Sequence, residues 1–333
     1  MRIRRLFKAS EHTFYIFSNN HNICSHEDLP YDEILWGELF DDKQRLKMLF
    51  EENDRIILHS LLFDKYKQLQ VIACLVQKYC NKVLWTVWGA DLYNQYNEYH
   101  NSLNPKKVLK EYQRKKLILN LHGVVAGDDY PELLKRYKTH AKNYYAMYSY
   151  QFIDSLTSEH SDGLVHIMVG HSATDTCQHI EVFERLKPCK DKIKIYCPLS
   201  YPANTEYINM VCKYGNELFG EHFVPMTQFM KYSEYVAFLN QIDIGIFNNN
   251  RQQGNGNITN LLYLGKKIYM ASENTLLKTY RDLGASIYDY NQIDDKDLLE
   301  PLPVEDSENN RKIIIERYSD ENFYKCWNSV FTE

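Results

Sequence analysis

A glycine-rich segment in the second half of the chain carries residue types suited to binding a diphosphate. It comprises Arg251, Gln252, Gln253, Gly254, Asn255, Gly256 and Asn257, and it follows the apolar run Ile242–Phe247. Glycine lets a backbone approach a ligand closely, and an arginine guanidinium presents a planar fork of donors that matches a diphosphate. A helical pattern begins near Ile258, and the N–H groups at a helix start attract anions. The segment predicts a phosphate cradle, with a glycine-rich turn and a surface arginine as the alternative.

A second segment of small and hydroxyl-bearing residues follows another apolar run, Val165–Val169. It comprises Gly170, His171, Ser172, Ala173 and Thr174, and a helical pattern starts at about Asp175. Hydroxyl groups and N–H groups at a helix start predict a further anion-binding turn. The segment has neither the GK[ST] ending of a Walker loop nor the GxGxxG pattern. The alternative is that Ser172 or Thr174 only caps the helix.

Two smaller features complete the set of candidate binding residues that follow strand patterns in the second half of the chain. Tyr201 and Asn204 follow the strand pattern Lys192–Cys197, and proline at position 202 favours an extended backbone that could lie under a nucleotide base. A turn that leads into a helix explains these two residues equally well. Glu273, which follows the strand pattern Lys266–Ala271, is a further candidate binding residue in the second half of the chain.

Two candidate proton acceptors lie in the first half of the chain. Asp91 follows the strand pattern Lys82–Trp88, and we expect its carboxylate to face a cleft between two domains. His59 lies in the strand pattern Ile56–Phe63. A carboxylate or an imidazole at such a position can take a proton from a substrate hydroxyl group. The alternatives are that Asp91 caps the turn beginning at Leu92 and that His59 is structural.

A basic amphipathic helix is predicted over residues 106–116. Its six basic residues are Lys106, Lys107, Lys110, Arg114, Lys115 and Lys116. Such a helix suits contact with anionic lipid headgroups. An ordinary solvated helix face is the alternative.

Short β-rich runs alternate with helical patterns throughout the chain, which predicts βαβ units with parallel sheets. The series restarts near residue 160, after the polar segment Ser155–Gly163. We therefore predict an α/β protein with two Rossmann-like domains, residues 1–155 and 164–305. The C-terminal helices, 306–333, are expected to pack back on the first domain. Strands are predicted at Leu117–Ala126 and Tyr144–Tyr150.

Composition excludes several classes of protein. The 333 residues are 44% hydrophobic and 25% charged, which excludes a disordered or fibrous chain, and the net charge of −5 argues against a nucleic-acid binder. No apolar run approaches the length of a membrane span. The eight cysteines form no CxxC pair, and no secretion signal is evident, so we expect reduced thiols in a cytosolic protein. Nothing in the sequence demands a metal.

Four segments taken together resemble a known family. They are TVWGADLY (86–93), VGHSATDTCQHIE (169–181), YPANTEYI (201–208) and RQQGNG (251–256). In order and approximate spacing they are similar to segments of the bacterial TDP-N-acetylfucosamine:lipid II N-acetylfucosaminyltransferases, glycosyltransferase family 56. The resemblance is strong over residues 56–93 and 165–275. Two positions depart from the family pattern, because His171 replaces asparagine and Asn255 replaces an apolar residue.

The resemblance implies a glycosyltransferase with a GT-B fold, in which the sheets of the two domains face each other across a cleft. From the residues themselves we expect this enzyme to need no metal. The resemblance also implies a dTDP-linked deoxy-amino sugar as donor substrate, and no cofactor. The implied acceptor is a saccharide on undecaprenyl diphosphate at the cytoplasmic face of the cell membrane, in surface polysaccharide assembly. Asp91 and His59 become acceptor-side candidates. The donor-side candidates that match the family pattern are Gly170, Ser172, Tyr201, Asn204, Arg251, Gln252, Gly254 and Gly256.

Two other functions fit the same architecture. A nucleotide-sugar epimerase or hydrolase would need no lipid acceptor and no basic face. A non-catalytic module that binds a sugar or nucleotide would need no base facing the donor.

Overall fold

Parallel strands alternate with helices in both halves of the chain. The structure, a computed structural model, describes residues 2–18, 33–36, 43–63, 65–146, 152, 160–202 and 204–333. The chain divides into a first unit, residues 1–149 and 320–333, and a second unit, residues 150–319. Most of the predicted linker Ser155–Gly163 and the last four residues of the predicted strand Tyr144–Tyr150 lie outside the described residues.

The first unit is built on a four-stranded parallel sheet. Its strands, in spatial order, are β3 (Ile56–Leu58), β4 (Val83–Thr86), β5 (Gly123–Val125) and β6 (Lys142–Tyr144). Two further strands, β1 (Tyr15–Ser18) and β2 (Glu33–Trp36), form a separate parallel pair. The helices of this unit are α1 (Arg2–Leu6), α2 (Lys43–Glu52), α3 (Tyr66–Lys78), α4 (Gln95–Tyr99), α5 (Pro105–Leu119), α6 (Tyr130–Tyr137) and α14 (Asp320–Thr332). All of β4 is buried, as expected of a strand covered on both faces.

Helix α5 extends beyond its predicted end. It begins at the cap Asn104, whose side chain accepts a hydrogen bond from the N–H of Lys106, and it ends at Leu119. The predicted strand Leu117–Ala126 is therefore mostly wrong, because only residues 123–125 form β5. Leu117 and Ile118 are buried on the helix instead. A short apolar run fits a buried helix face as well as a buried strand, so periodicity alone does not separate them.

The two helices of the predicted C-terminal tail belong to different units. Helix α13 (Val304–Arg317) belongs to the second unit, and α14 belongs to the first. Asp320, at the start of α14, accepts hydrogen bonds from Arg2 and Arg5. Phe323, Trp327 and Val330 are buried beside the first-unit sheet. Apolar burial and two ion pairs therefore tie both ends of the chain to one unit.

The second unit is built on a six-stranded parallel sheet. In spatial order its strands are β12 (Tyr288–Asp289), β11 (Lys267–Met270), β10 (Ile244–Phe247), β7 (Val165–Val169), β8 (Ile193–Pro198) and β9 (Phe223–Met226). The remaining helices are α7 (His179–Leu186), α8 (Thr205–Phe219), α9 (Tyr232–Asn240), α10 (Asn255–Tyr263), α11 (Thr275–Asp282), α12 (Asp295–Leu299) and α13. The chain runs outward from β7 through β8 to β9 and then returns to place β10 on the other side of β7. Ligands of such sheets bind at this reversal, beyond the carboxyl ends of the strands.

No helix within the described ranges is both long and apolar enough to cross a membrane.

Candidate functional site

The loops that follow β7 and β10 meet at the reversal of strand order. Gly254 has a φ of +66°, and a side-chain carbon there would lie 2.9 Å from Cγ of His171. Gly170 has a φ of +71°, and a side-chain carbon there would lie 2.6 Å from Nε2 of His179. Only glycine adopts this backbone region without strain and leaves room for such contacts. The fold therefore brings the two predicted anion-binding segments together.

The loop after β10 is held in place by two amide side chains from neighbouring elements. Nδ2 of Asn274 donates to the carbonyl oxygens of Asn249 and Arg251, at 3.0 Å each. Nε2 of Gln178, which precedes α7, donates to the carbonyl oxygen of Asn248. Asn274 is buried, so the backbone at Arg251 has a fixed position. Sequence reasoning missed both amides, because their contacts link residues 23 to 70 positions apart.

Helix α10 presents its N-terminus at the same place. Gly254 is its N-cap, and the first hydrogen bonds of the helix run from the N–H groups of Asn257 and Ile258 to the Gly254 carbonyl. The N–H groups of Asn255 and Gly256 come before these first hydrogen bonds of the helix. The leading N–H groups of a helix carry partial positive charge and bind phosphate readily.

Two asparagines of the glycine-rich segment turn their side chains toward the protein. Oδ1 of Asn257 accepts a hydrogen bond from Tyr235 of α9 at 3.1 Å. Oδ1 of Asn255 accepts one from Tyr280 of α11 at 3.3 Å. These side-chain oxygens hold the start of α10 in place. At these two positions the segment therefore presents its backbone, and not these oxygens, to a ligand.

The loop after β7 contains a compact set of hydroxyl, thiol and imidazole groups. Oγ of Ser172 lies 3.0 Å from Oγ1 of Thr174, and Sγ of Cys177 lies 3.4 Å from Nδ1 of His171. Burial alone would raise the pKa of the Cys177 thiol, but the hydrogen bond and the positive charge of His171 lower that pKa to about 6. Ser172 is buried, so its hydroxyl group forms its hydrogen bond within the loop.

Several buried polar atoms around these loops have no hydrogen-bond partner among the described residues. They are Nε2 of His179, Oδ1 of Asn249, Oε1 of Gln253 and Oγ1 of Thr275. Native proteins rarely leave buried polar atoms unpaired, so these four atoms are candidates for contacts with a ligand. Burial lowers the pKa of His179 to about 4. The ring is therefore neutral at pH 7, with Nδ1 lying 2.9 Å from the Tyr207 hydroxyl.

The remaining donor-side candidates have mixed positions. Tyr201 is 67% exposed, and its carbonyl oxygen accepts from the N–H of Ala173 at 2.6 Å, which joins the loops after β7 and β8. Oδ1 of Asn204 accepts from the N–H of Tyr207 and caps α8, so the turn-and-cap alternative describes this side chain. Glu273 is exposed in the turn before α11.

Asp91 in the first unit is buried, which corrects the expectation of an open carboxylate. It is 0% exposed, and Oδ2 accepts hydrogen bonds from the N–H of Leu61 at 3.1 Å and from the indole N–H of Trp85 at 2.8 Å. Oδ1 accepts from the N–H of Trp88 at 2.9 Å. A carboxylate that receives three N–H donors away from solvent fixes the surrounding loops and is not available to take a proton from a substrate.

Arg114 does not belong to the predicted membrane face. It is 0% exposed, and it donates hydrogen bonds to the carbonyl oxygens of Leu61 and Asp91, to Gln95 and to Tyr137. Because helix α5 packs this side against the unit, Arg114 serves as a buried brace beside Asp91.

The outward face of α5 is apolar as well as basic. Val108, Leu109 and Tyr112 are 49%, 45% and 63% exposed, and Leu103 just before the helix is 98% exposed. The other predicted basic residues separate into two groups. Lys106 and Lys115 are exposed, whereas Lys107, Lys110 and Lys116 are partly buried, with Lys107 paired to Glu98 at 3.1 Å.

His59 lies immediately after β3, at the carboxyl edge of the first-unit sheet. The residue is exposed, and Trp327 of α14 packs near it with ring centroids 6.5 Å apart. Desolvation by neighbouring atoms lowers the pKa of His59 below its usual value. The imidazole is therefore neutral at pH 7 and able to accept a proton.

Among the described residues, no group of three or more histidine, cysteine, aspartate or glutamate side chains is arranged to hold a metal ion.

Comparison with protein families gives one match that spans nearly the whole chain. The family described as "4-alpha-L-fucosyltransferase glycosyl transferase group 56" matches residues 5–330. This confirms the resemblance seen in the four sequence segments.

Several solved structures are similar in fold to this chain. A glycosyltransferase from Rickettsia africae ESF-5 has a TM-score of 0.64 and 13% identity, over 99% of this chain and 92% of that one. Sucrose-phosphate synthase from Thermosynechococcus elongatus has a TM-score of 0.61 and 13% identity, over 98% and 89% of the two chains. Anabaena HepE in complex with UDP and glucose has a TM-score of 0.60 and 10% identity, over 91% and 87%. At these identities the likeness shows the fold, which is the predicted GT-B fold.

Proposed function

The chain belongs to glycosyltransferase family 56, and from this membership we propose that it transfers a deoxy-amino sugar from a dTDP-linked donor to a lipid-diphosphate-linked saccharide. Its activity as a glycosyltransferase replaces the two alternatives, an epimerase or hydrolase and a non-catalytic module.

The reversal of strand order in the second unit is the observation that carries the donor site. There the N-terminus of α10, the fixed backbone at Arg251 and the loop after β7 converge. A nucleoside diphosphate placed there would meet helix N–H groups and a guanidinium. Both stabilise the negative charge that develops when the sugar–phosphate bond breaks. Arg251 and α10 therefore supply the charge that a metal ion supplies in other transferases.

The acceptor hydroxyl attacks the anomeric carbon, the bond from that carbon to the diphosphate breaks, and the hydroxyl proton must be removed. Burial and three hydrogen bonds exclude Asp91 as the base. His59 is accessible and neutral, and it lies at the carboxyl edge of the first-unit sheet. We therefore propose that His59 accepts the proton of the acceptor hydroxyl.

Replacing Arg251 by alanine tests the donor site. We expect Arg251→Ala to weaken dTDP binding by about 1.5–3 kcal/mol, roughly 12- to 150-fold, the range for hydrogen bonds to charged groups. Isothermal calorimetry measures the change. Lys278→Ala, which removes a positive charge from an exposed position on α11, is the matched control and should bind like the wild type. Unchanged affinity in Arg251→Ala would remove this residue from the donor site.

We propose that the outward face of α5 attaches the protein peripherally to an anionic membrane. This membrane would be the cytoplasmic face of the cell membrane, where a lipid-linked acceptor would lie. Exposed aliphatic and aromatic side chains flanked by lysines are the composition of an interfacial helix. Lysines attract the headgroups, and the apolar side chains enter the boundary of the hydrocarbon region.

Charge reversal at the two exposed lysines of α5 tests this attachment. We expect Lys106→Glu/Lys115→Glu to weaken binding to phosphatidylglycerol-containing vesicles by at least about 30-fold, because each basic residue contributes about 1 kcal/mol. Vesicle sedimentation at two salt concentrations measures it. The control Lys135→Glu/Lys138→Glu makes the same charge change at exposed positions on and after α6. Equal losses in both double variants would attribute binding to net charge and not to α5.

A further inference from the structure

Phe229 is an exposed aromatic residue that neither the sequence motifs nor the proposed donor contacts explain. Its side chain is 83% exposed, the highest value for an aromatic residue among the exposed hydrophobic residues of the described chain. It lies three residues beyond β9, at the carboxyl edge of the second-unit sheet. A phenylalanine with this exposure contributes little to folding stability, since the hydrophobic contribution comes from surface removed from water.

The loop that carries Phe229 is joined to the end of β8 at its start and, through α9, to the phosphate cradle at its end. At its start, the N–H of Leu199 donates to the carbonyl oxygen of Met226 at 2.8 Å, which places the ends of β8 and β9 side by side. At its end, the N–H of Lys231 donates to Glu234 at 3.1 Å and fixes the first turn of α9. One turn later, Tyr235 holds Asn257 of the cradle.

Tyr201 borders the same region from the loop after β8. It is 67% exposed, and its backbone is bonded to the loop after β7 through Ala173. Neighbouring strands lie about 4.8 Å apart, so the ends of β10, β7, β8 and β9 span roughly 14 Å. An extended nucleoside diphosphate can bridge that span with its phosphates at α10 and its base beyond β8.

We propose that Phe229 is the stacking surface for the nucleobase of the donor, with Tyr201 at the border of the same subsite. This inference rests on the proposed donor site and names the residue that distinguishes a nucleotide from a bare diphosphate. Stacking of a base on an aromatic ring contributes about 1–3 kcal/mol and tolerates different bases, because every base has a π face. Phe229 therefore sets affinity for nucleotides as a class, and it acts on binding rather than on the transfer step.

The test compares dTDP with inorganic diphosphate by calorimetry on the full chain. We expect Phe229→Ala to lower the affinity for dTDP by about 5- to 150-fold and to leave the affinity for inorganic diphosphate unchanged. Phe229→Trp should retain dTDP affinity. Leu283→Ala removes an exposed apolar side chain just beyond α11 and should change neither ligand.

Three outcomes would overturn an assignment, and they can be told apart. If the wild type binds no dTDP, the proposed donor site fails. If the wild type binds dTDP and Phe229→Ala binds it equally well, the donor site stands and the stacking role fails. If Phe229→Ala loses affinity for both ligands equally, the residue supports the loop, and the stacking role fails as well.

Discussion

Replacing His59 by asparagine should lower the rate of sugar transfer by about 10²- to 10⁴-fold, the usual contribution of a general base. Asparagine keeps a polar side chain after β3 but cannot accept the proton of the acceptor hydroxyl. The affinity for dTDP should stay unchanged, because the donor contacts lie in the second unit. In the wild type, protonation removes the base, so the rate should fall with falling pH through the pKa of His59. That pKa is lowered, so the acid limb should lie below the usual value of about 6.5.

His122→Asn is the matched control for this experiment. His122 directly precedes β5, at the opposite edge of the same sheet, and its ring contacts the Glu333 carbonyl at 3.3 Å. Single-turnover transfer with this variant should match the wild type. A folded His59→Asn protein with normal transfer would place the base elsewhere on the carboxyl edge of the first unit. Asp128, which follows β5, would then be the next residue to test.

Replacing Asp91 should lower the free energy of unfolding of the first unit and should not act directly on the transfer step. Asp91→Ala leaves three N–H groups without an acceptor beside the buried guanidinium of Arg114. We expect the free energy of unfolding of the first unit to fall by at least about 3 kcal/mol, because each buried donor left without an acceptor costs about 1–3 kcal/mol. In Asp91→Asn, an amide oxygen at the position of Oδ2 keeps two donors, but the NH₂ group then faces the N–H of Trp88. That single conflict should cost about 1–3 kcal/mol.

Denaturant unfolding followed by tryptophan fluorescence measures these losses, since Trp85 lies in the affected core. Asp54→Ala changes an exposed acid of the same unit and should remain within about 0.5 kcal/mol of the wild type. If Asp91→Asn were as stable as the wild type and yet transferred sugar 10²- to 10⁴-fold more slowly, Asp91 would be the base after all. The stability of Asp91→Asn therefore distinguishes a structural role of Asp91 from a role as the base.

The alternation of strands and helices could be predicted because it depends on local pattern. The helix predicted over 106–116 lies within α5, the helical pattern near Ile258 forms α10 (Asn255–Tyr263), and the apolar run Val165–Val169 forms β7 with those limits. Apolar residues on both strand faces and polar residues at helix starts are enough to indicate such elements. The run after residue 117 was misassigned because its apolar residues fit either structure.

The donor site was also largely accessible from the sequence. Gly170 and Gly254 mark positions where only a positive φ and a missing side chain allow two loops to meet, and that requirement is visible as residue type. The amides that hold those loops, Gln178 and Asn274, carry no such mark. Phe229 was missed for a similar reason, because the sequence does not show which aromatic residues remain exposed.

The sequence by itself determined the class of fold, the family and the glycine-bearing turns, since these depend on residue type and on spacing along the chain. The tertiary structure decided which way each charged side chain points. Asp91 and Arg114 looked like functional surface groups, yet both are buried because their partners come from residues up to 53 positions away. It also placed β10 beside β7 and α14 on the first unit. Strand order and side-chain burial depend on contacts between distant parts of the chain, which no local pattern encodes.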